Sequence, residues 1–439
     1  MPTYRVQGGN SLYGLVRLGG AKNVSYKLMI AALLGEEESR ILNFSKISDV
    51  DLVTEVINSL GARAYSAGER TLFVDPRKLE RQEIGDQYGS GSRASTMFLA
   101  PLLARFGKAS VPFPGGDRIG KRPIDRHLEF LEALGARFRI ENNRIAAETD
   151  GLRGTTYRFR KSTHTGTETA LMAAVLAQGK TVLENAAQEP EVDDMIDFLN
   201  KMGAQVQRTA PKTIEIEGVD RLGGAIHRIM PDQNEAVSYA VAALVTKGDI
   251  IVENARAEHL QAFLEKLDEV GGGYEIGDYG IRFFYKGPLK AANIITEPHP
   301  GFKTDWQPVW SVLLTQARGT SEIHEAVHIS RFQYVSALEE MGVPVKLYNP
   351  EVENPEEFYD FNTQQDESDN HHALQITGPV ALKPVEFTVP DLRAGATILI
   401  AGLIAEGESV IHDSESHVER GYEEITERLN SMGAKITKE

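Results

Sequence analysis

Ile124-Asp125-Arg126-His127-Leu128-Glu129-Phe130-Leu131-Glu132-Ala133-Leu134-Gly135-Ala136 is the stretch from which the rest of the chain can be parsed. Its apolar residues recur at helical spacing, so 124–134 reads as an amphipathic helix. Gly135 stands where a helix stops, because glycine accepts the left-handed turn that other residues resist. Arg137 to Ile140 then alternates as a short strand does. The closing phrase recurs as Leu60-Gly61-Ala62, Met202-Gly203-Ala204, Val270-Gly271-Gly272, Met341-Gly342-Val343 and Met432-Gly433-Ala434. Successive glycines are 74, 68, 68, 71 and 91 residues apart.

Upstream of each phrase lies a second helix, rich in Ala and Leu, as at 26–34, 170–176, 236–245 and 396–405. It is apolar nearly all round, which predicts burial. A glycine-centred turn and a strand follow, as in Gly179 to Asn185 and Gly248 to Asn254. The unit therefore reads strand–helix–strand–helix–strand, about 70 residues long, which exceeds solenoid periods and favours closed domains. Six units pair as two domains of three. The last interval is too long, and the excess falls at 348–372, with eight acids and no Lys or Arg. That composition predicts a flexible surface insertion. His371-His372 beside those acids matches no metal-ligand spacing and reads as part of a solvated loop.

The 439 residues carry a net charge of −16, which argues against general affinity for nucleic acid or acidic membranes. The absence of cysteine excludes disulfides, thiolate catalysis and Cys-ligated zinc. The polar start lacks a secretory apolar core, and the longest apolar or small run, 394–405, is too short to span a bilayer. A soluble cytoplasmic protein is expected.

Polar chemistry gathers at one phase of the repeat. Lys22, Arg93, Thr167, Glu235, Asp305 and Arg393 each lie 36 to 42 residues before their closing glycine, at the start of a buried helix. Asp, Ser, Thr and Asn there are ordinary caps. Lys22, Arg93 and Arg393 are not, because a cation at a helix N-terminus opposes the macrodipole and costs a few tenths to about 1 kcal/mol unless an anion is near. The pattern predicts an anion-binding site. A further stretch, Pro114 to Pro123, packs three glycines, one acid (Asp117) and three bases into ten residues. Alone it is ordinary turn chemistry.

Together these motifs resemble the enolpyruvyl transferases. The resemblance rests on Gly19 to Asn23, Pro114 to Pro123, Glu184 to Pro190, Thr304-Asp305, Asp391 to Ala394 and Glu419 to Tyr422, and it runs the length of the chain except the acidic insertion. The loop pattern is that of the members acting on UDP-N-acetylglucosamine rather than on 3-phosphoshikimate. It implies an α/β fold, a two-domain inside-out α/β barrel with six βαβαβ-like repeats, three per domain. Domain 1 would be 22–230, carrying the loop 112–125, and domain 2 would be 231–439 completed by 1–21.

The implied reaction moves the enolpyruvyl group of phosphoenolpyruvate to the 3′-hydroxyl of UDP-N-acetylglucosamine and releases phosphate, with no cofactor and no metal. It needs a base, an acid and cations that hold phosphate and carboxylate. The resemblance puts Asp305 as the base, Asp117 as the acid where most members have cysteine, and Lys22, Arg122, Arg393 and Arg420 on phosphoenolpyruvate. It puts Lys22, Asn23, Arg93, Arg122, Pro123, Ile124, Asp125, Arg126, His127, Lys161, Ser162, Thr163, His164, Asp305 and Val327 where the substrates are held, with Arg331 supporting them. Aspartate at 117 implies insensitivity to fosfomycin, whose epoxide alkylates a thiolate. The implied place is peptidoglycan synthesis, with its bearing on cell-wall biogenesis, cell shape and division. The chain departs from the usual family pattern at 163–167, Gln233 and His328, which leaves transfer to another acceptor open. An inactive sensor of sugar nucleotide or phosphoenolpyruvate is a third reading, though retention of an acid, a base and four cations weighs against it.

Overall fold

The computed structural model describes residues 2–89, 94–114 and 124–439. Arg93, Asp117, Arg122 and Pro123 lie outside the described residues. Two compact units are present, one formed by residues 2–19 with Pro231–Glu439, the other by the described residues of 20–230.

The repeat follows from its glycines. Gly61, Gly135, Gly203, Gly271, Gly342 and Gly433 all have φ between +80° and +109°, the left-handed region that a side chain resists. Each ends the outer helix of its unit, for example Ser48–Ser59, Pro190–Lys201 or Gln261–Val270, which buries one apolar face and exposes the other. The inner helices have no such polar face. Every residue of Gln233–Val245, Gln307–Leu314 and Leu392–Gly402 is buried, as are seven of the ten in Lys22–Ala31 and nine of the eleven in His164–Ala174. Helices therefore fill the interior of each unit and sheets cover it, in α/β fashion.

The described residues form six sheets, one per repeat. Five share one order. In the third repeat Thr156–Arg158 pairs parallel to Lys180–Glu184, which pairs antiparallel to Thr213–Glu217, which pairs antiparallel to Gln205–Ala210. The first four repeats end in a β-hairpin, and that hairpin adds a strand to the three that the sequence suggests in the first, third and fourth. Among the described residues the second sheet has three strands, with an isolated parallel bridge Glu83 to Ser110 in place of the edge strand. The last sheet is completed from the other end of the chain, where Thr3–Gln7 lies between Glu408–His412 and Lys435–Lys438.

The acidic stretch is not a loose loop. It contains the short helix Pro355–Phe358, and Tyr359 and Phe361 are buried beside Ala326 and Ile329. His372, expected in solvent, is 3% exposed and its Nε2 lies 2.7 Å from Asp366 Oδ2. Composition registered the acids and missed the aromatic residues between them. Among the described residues no helix is long and apolar enough to cross a membrane.

Because Thr3–Gln7 is an inner strand of its sheet and Val6 is fully buried, Val6→Asp places an unpaired charge in that core. We expect a loss of about 3–5 kcal/mol in the unit holding 231–439, measured by urea denaturation. An unchanged midpoint would contradict the strand's interior position.

Candidate active site

In the unit formed by 2–19 and 231–439, three inner helices are laced together near their N-termini. Asp391 caps Leu392–Gly402, its carboxylate accepting from Arg393 N at 2.8 Å and Ala394 N at 3.0 Å. Asp232 caps Gln233–Val245 in the same way, accepting from Asn234 N at 2.7 Å and Glu235 N at 3.1 Å. Trp306 Nε1 donates to Asn234 Oδ1 at 3.0 Å, and Ser238 Oγ donates to the Tyr422 hydroxyl at 3.0 Å. The Arg393 guanidinium lies over the Tyr422 ring, 5.3 Å from its centroid.

These contacts bring Asp305, Arg331 and Arg393 into one cluster. Arg331 Nη2 donates to Asp305 Oδ1 at 2.6 Å and Arg393 Nε donates to the same oxygen at 3.1 Å. The guanidinium side chains are 2% and 6% exposed, while the carboxylate side chain is 30% exposed. Asp305 Oδ2 accepts no hydrogen bond from any described residue. Burial alone would push the Asp305 carboxyl up, but Arg393 and then Arg331 outweigh it and hold the group far below the usual carboxylate range. The Arg393 guanidinium is pushed the other way. Burial pulls it down, and the Asp305 charge more than restores it. Here, then, the protein itself supplies the anion that Arg393 requires at its helix start.

Arg420 sits partly buried on His417–Gly421, directly before the Tyr422 that supports Arg393. Val327 and Arg331 lie on one segment with Glu325, which sequence reasoning missed. Glu325 is fully buried; Oε1 accepts from Val327 N and His328 N, each at 2.9 Å, and Oε2 from Thr304 Oγ1 at 2.9 Å. Its signal in the sequence is slight, an acid just after the strand Gly319–His324. Glu235, at the repeat phase singled out above, is a structural group, since its Oε2 takes Arg428 Nη1 at 2.8 Å.

The other unit gathers a second group. Lys22 is the first residue of Lys22–Ala31, and its Nζ lies 3.1 Å from Asp49 Oδ2 in the first turn of Ser48–Ser59. An acid there is favoured by the helix dipole that disfavours the lysine. Asn23 follows, half-buried. Ile124 and Asp125 open the helix Asp125–Ala133, from which Arg126 Nη1 donates to the Ser162 carbonyl at 3.1 Å. His127 Nε2 is 2.9 Å from Thr165 Oγ1. Lys161, Ser162, Thr163 and His164 therefore adjoin 124–127, with Thr163 Oγ1 capping His164–Ala174 by accepting from Gly166 N at 3.3 Å.

Beneath that turn is a buried ionic group that the sequence did not disclose. Lys27 Nζ lies 2.5 Å from Glu168 Oε2, and His164 Nε2 lies 3.2 Å from Glu168 Oε1 and 3.3 Å from Lys27 Nζ. Burial pulls His164 down, yet the Glu168 carboxylate leaves it above its ordinary value. A lysine inside an otherwise apolar helix was the available signal. Thr167 turns inward and its Oγ1 accepts from Ala187 N at 3.0 Å, so it serves structure.

The arrangement can hold anions with buried guanidiniums and can accept a proton at Asp305 Oδ2, which takes no hydrogen bond from the described residues. Because the Asp305 carboxyl is depressed in the fold, its ion pairs stabilise fully above the ordinary value of 3.8 and lose that contribution as pH falls below it. Asp305→Asn should therefore lower stability at pH 7 by about 1–3 kcal/mol, discounted from a fully buried pair because the carboxylate is partly exposed. The difference from the parent should shrink in denaturation series taken below that value. A constant difference at every pH would contradict the pairing.

Comparison with known proteins follows the same lines. The family of EPSP synthase (3-phosphoshikimate 1-carboxyvinyltransferase) matches residues 6–429. A UDP-N-acetylglucosamine 1-carboxyvinyltransferase of Halothermothrix orenii is 38% identical over 438 residues, covering 100% of both chains. One from Idiomarina loihiensis is 38% identical and covers 99% of each chain. Among solved structures, the enolpyruvyl transferase NikO from Streptomyces tendae superposes with a TM-score of 0.85 at 22% identity, over 100% of this chain and 98% of that one. An EPSP synthase from Acinetobacter baumannii gives 0.74 at 17%, over 100% of each. On these matches the chain belongs to the EPSP synthase family of enolpyruvyl transferases.

Proposed function

We propose that this chain transfers the enolpyruvyl group of phosphoenolpyruvate to the 3′-hydroxyl of UDP-N-acetylglucosamine and releases inorganic phosphate. The observation that carries the reading is the Asp305 carboxylate, anchored through one oxygen by two guanidiniums while the other takes no hydrogen bond from any described residue. Full-length similarity to enzymes named for this reaction supports the choice of acceptor.

In this reading Asp305 Oδ2 takes the proton of the attacking hydroxyl as its oxygen bonds to C2 of phosphoenolpyruvate. Asp117 delivers a proton to the methylene carbon. Loss of a proton from that carbon and departure of phosphate then regenerate the double bond. Lys22, Arg122, Arg393 and Arg420 hold the phosphate and carboxylate, for which a guanidinium offers paired donors. Arg126, His127 and 161–164 serve the sugar nucleotide.

A carboxylate held this far down is a weak base. Phosphoenolpyruvate supplies the remedy. When its negative charge engages Arg393, that guanidinium is drawn from Asp305 and the basicity of Asp305 rises. The base is thereby switched on by the substrate it serves. The reading places the enzyme in the cytoplasm, at the first committed step of peptidoglycan synthesis, with neither metal nor cofactor.

Purified protein should release phosphate from phosphoenolpyruvate when UDP-N-acetylglucosamine is present, and Asp305→Ala should lower kcat by about 10²–10⁴-fold. Release with a different sugar nucleotide alone would move the acceptor assignment. Binding of both substrates without release would make the protein a sensor. Asp117→Ala should likewise remove turnover, and fosfomycin should cause no time-dependent inactivation; rapid covalent loss of activity would overturn the role given to Asp117.

A further inference from the structure

The acidic stretch 348–372 is folded onto the segment that carries Arg331. Tyr359 and Phe361 form a small apolar cluster with Ala326 and Ile329, separate from the main core of the unit. Their rings stack with centroids 4.7 Å apart, and Phe361 lies against the His372 ring at 4.9 Å. The Tyr359 hydroxyl is 3.1 Å from His324 Nε2. Asp360 N donates to the Ala326 carbonyl at 2.7 Å, and Glu325 N donates to the His372 carbonyl at 2.7 Å. Residues 324–326 are thus gripped by backbone and side chains from the middle of the insertion and from its C-terminal end.

This grip is passed on. Buried Glu325 ties its own turn, through Val327 N and His328 N, to Thr304, the neighbour of Asp305. Arg331 closes the ring onto Asp305 Oδ1 at 2.6 Å. Arg331 Nε is buried and has no hydrogen-bond partner among the described residues, so local hydrogen bonding does not fully fix the guanidinium, and its place depends on the segment beneath it. A catalytic base displaced by about 1 Å can cost on the order of 10²-fold in rate.

We propose that the insertion is a brace for the base: Tyr359, Asp360, Phe361 and His372 hold 324–331 in place, and so position Arg331 and, through it, the Asp305 carboxylate, with Glu325 as the pivot. The inference rests on the reading that Asp305 takes the acceptor's proton. The brace residues touch no substrate and act by position alone.

The test is kinetic, on the full chain with phosphoenolpyruvate and UDP-N-acetylglucosamine. Phe361→Ala should lower kcat at least 10-fold, leave the KM for phosphoenolpyruvate within 2-fold, and move the acidic limb of the kcat profile to higher pH. The sign follows from the groups around Asp305, namely Arg393, Arg331 and His328. Loosening Arg331 removes part of what holds the carboxyl down. Phe361→Leu should recover most of kcat. Glu356→Gln and Glu357→Gln, on the exposed rim, should behave as the parent. A folded Phe361→Ala with parental kcat and pH profile overturns the brace. Should that variant not fold, Tyr359→Phe removes one hydroxyl and should still lose at least 3-fold in kcat; a parental rate overturns the brace equally. Should the parent release no phosphate with any acceptor, the functional reading fails by itself. The brace is then read by carbon-13 titration of Asp305, which Phe361→Ala or Tyr359→Phe should shift upward and which an unshifted titration would refute.

Discussion

One carboxylate oxygen holds the chemistry of this protein together. Asp305 Oδ1 receives both Arg331 and Arg393, two guanidiniums that are almost wholly buried. Two such charges could not stay buried without a counter-charge. Much of the surrounding structure keeps the meeting in place. Asp391 sets the start of the helix that carries Arg393, Tyr422 lies under its guanidinium, and Glu325 fixes the turn that leads to Arg331. The cost of opposing a helix dipole with Arg393 is offset by a neighbouring carboxylate, the same one proposed as the base.

Such a constraint has two sides. It aims Oδ2 and keeps it ionised, and it makes the group a poor base while the guanidiniums remain engaged. An anionic substrate that competes for Arg393 relieves the second effect without disturbing the first, because Arg331 stays on its own segment. On the proposed reading of Asp305 as the base, the order of events follows from electrostatics: proton acceptance is weak before the anion arrives and strong after it. The insertion, as the proposed brace of Arg331, would belong to the same scheme.

The repeat was plain in the sequence because its marks are local. Gly61, Gly135 and Gly203 adopt a φ that other residues avoid, and the apolar inner helices can sit nowhere except in a core. The extra hairpin strand was less plain, although Asn142-Asn143, both at positive φ, is a turn signal between Arg137–Glu141 and Arg144–Glu148. Asp305, Arg393 and Lys22 were visible through their common phase. Their partners were not. Asp49 and Glu325 meet Lys22 and Thr304 through tertiary contacts that no spacing announces, and Lys27 meets Glu168 across 141 residues. In the insertion a high density of acids masked the burial of Tyr359 and Phe361, because composition does not say which residues of a stretch turn inward.

The central claim is that Asp305 is a base whose strength depends on what Arg393 is holding. Site-resolved carbon-13 titration of the Asp305 carboxyl, with and without phosphoenolpyruvate, tests it most directly. The account predicts a titration below the ordinary value of 3.8 in the free protein and a clear rise when phosphoenolpyruvate is bound. A carboxyl that titrates normally in the free protein, or one that phosphoenolpyruvate leaves unmoved, would contradict it.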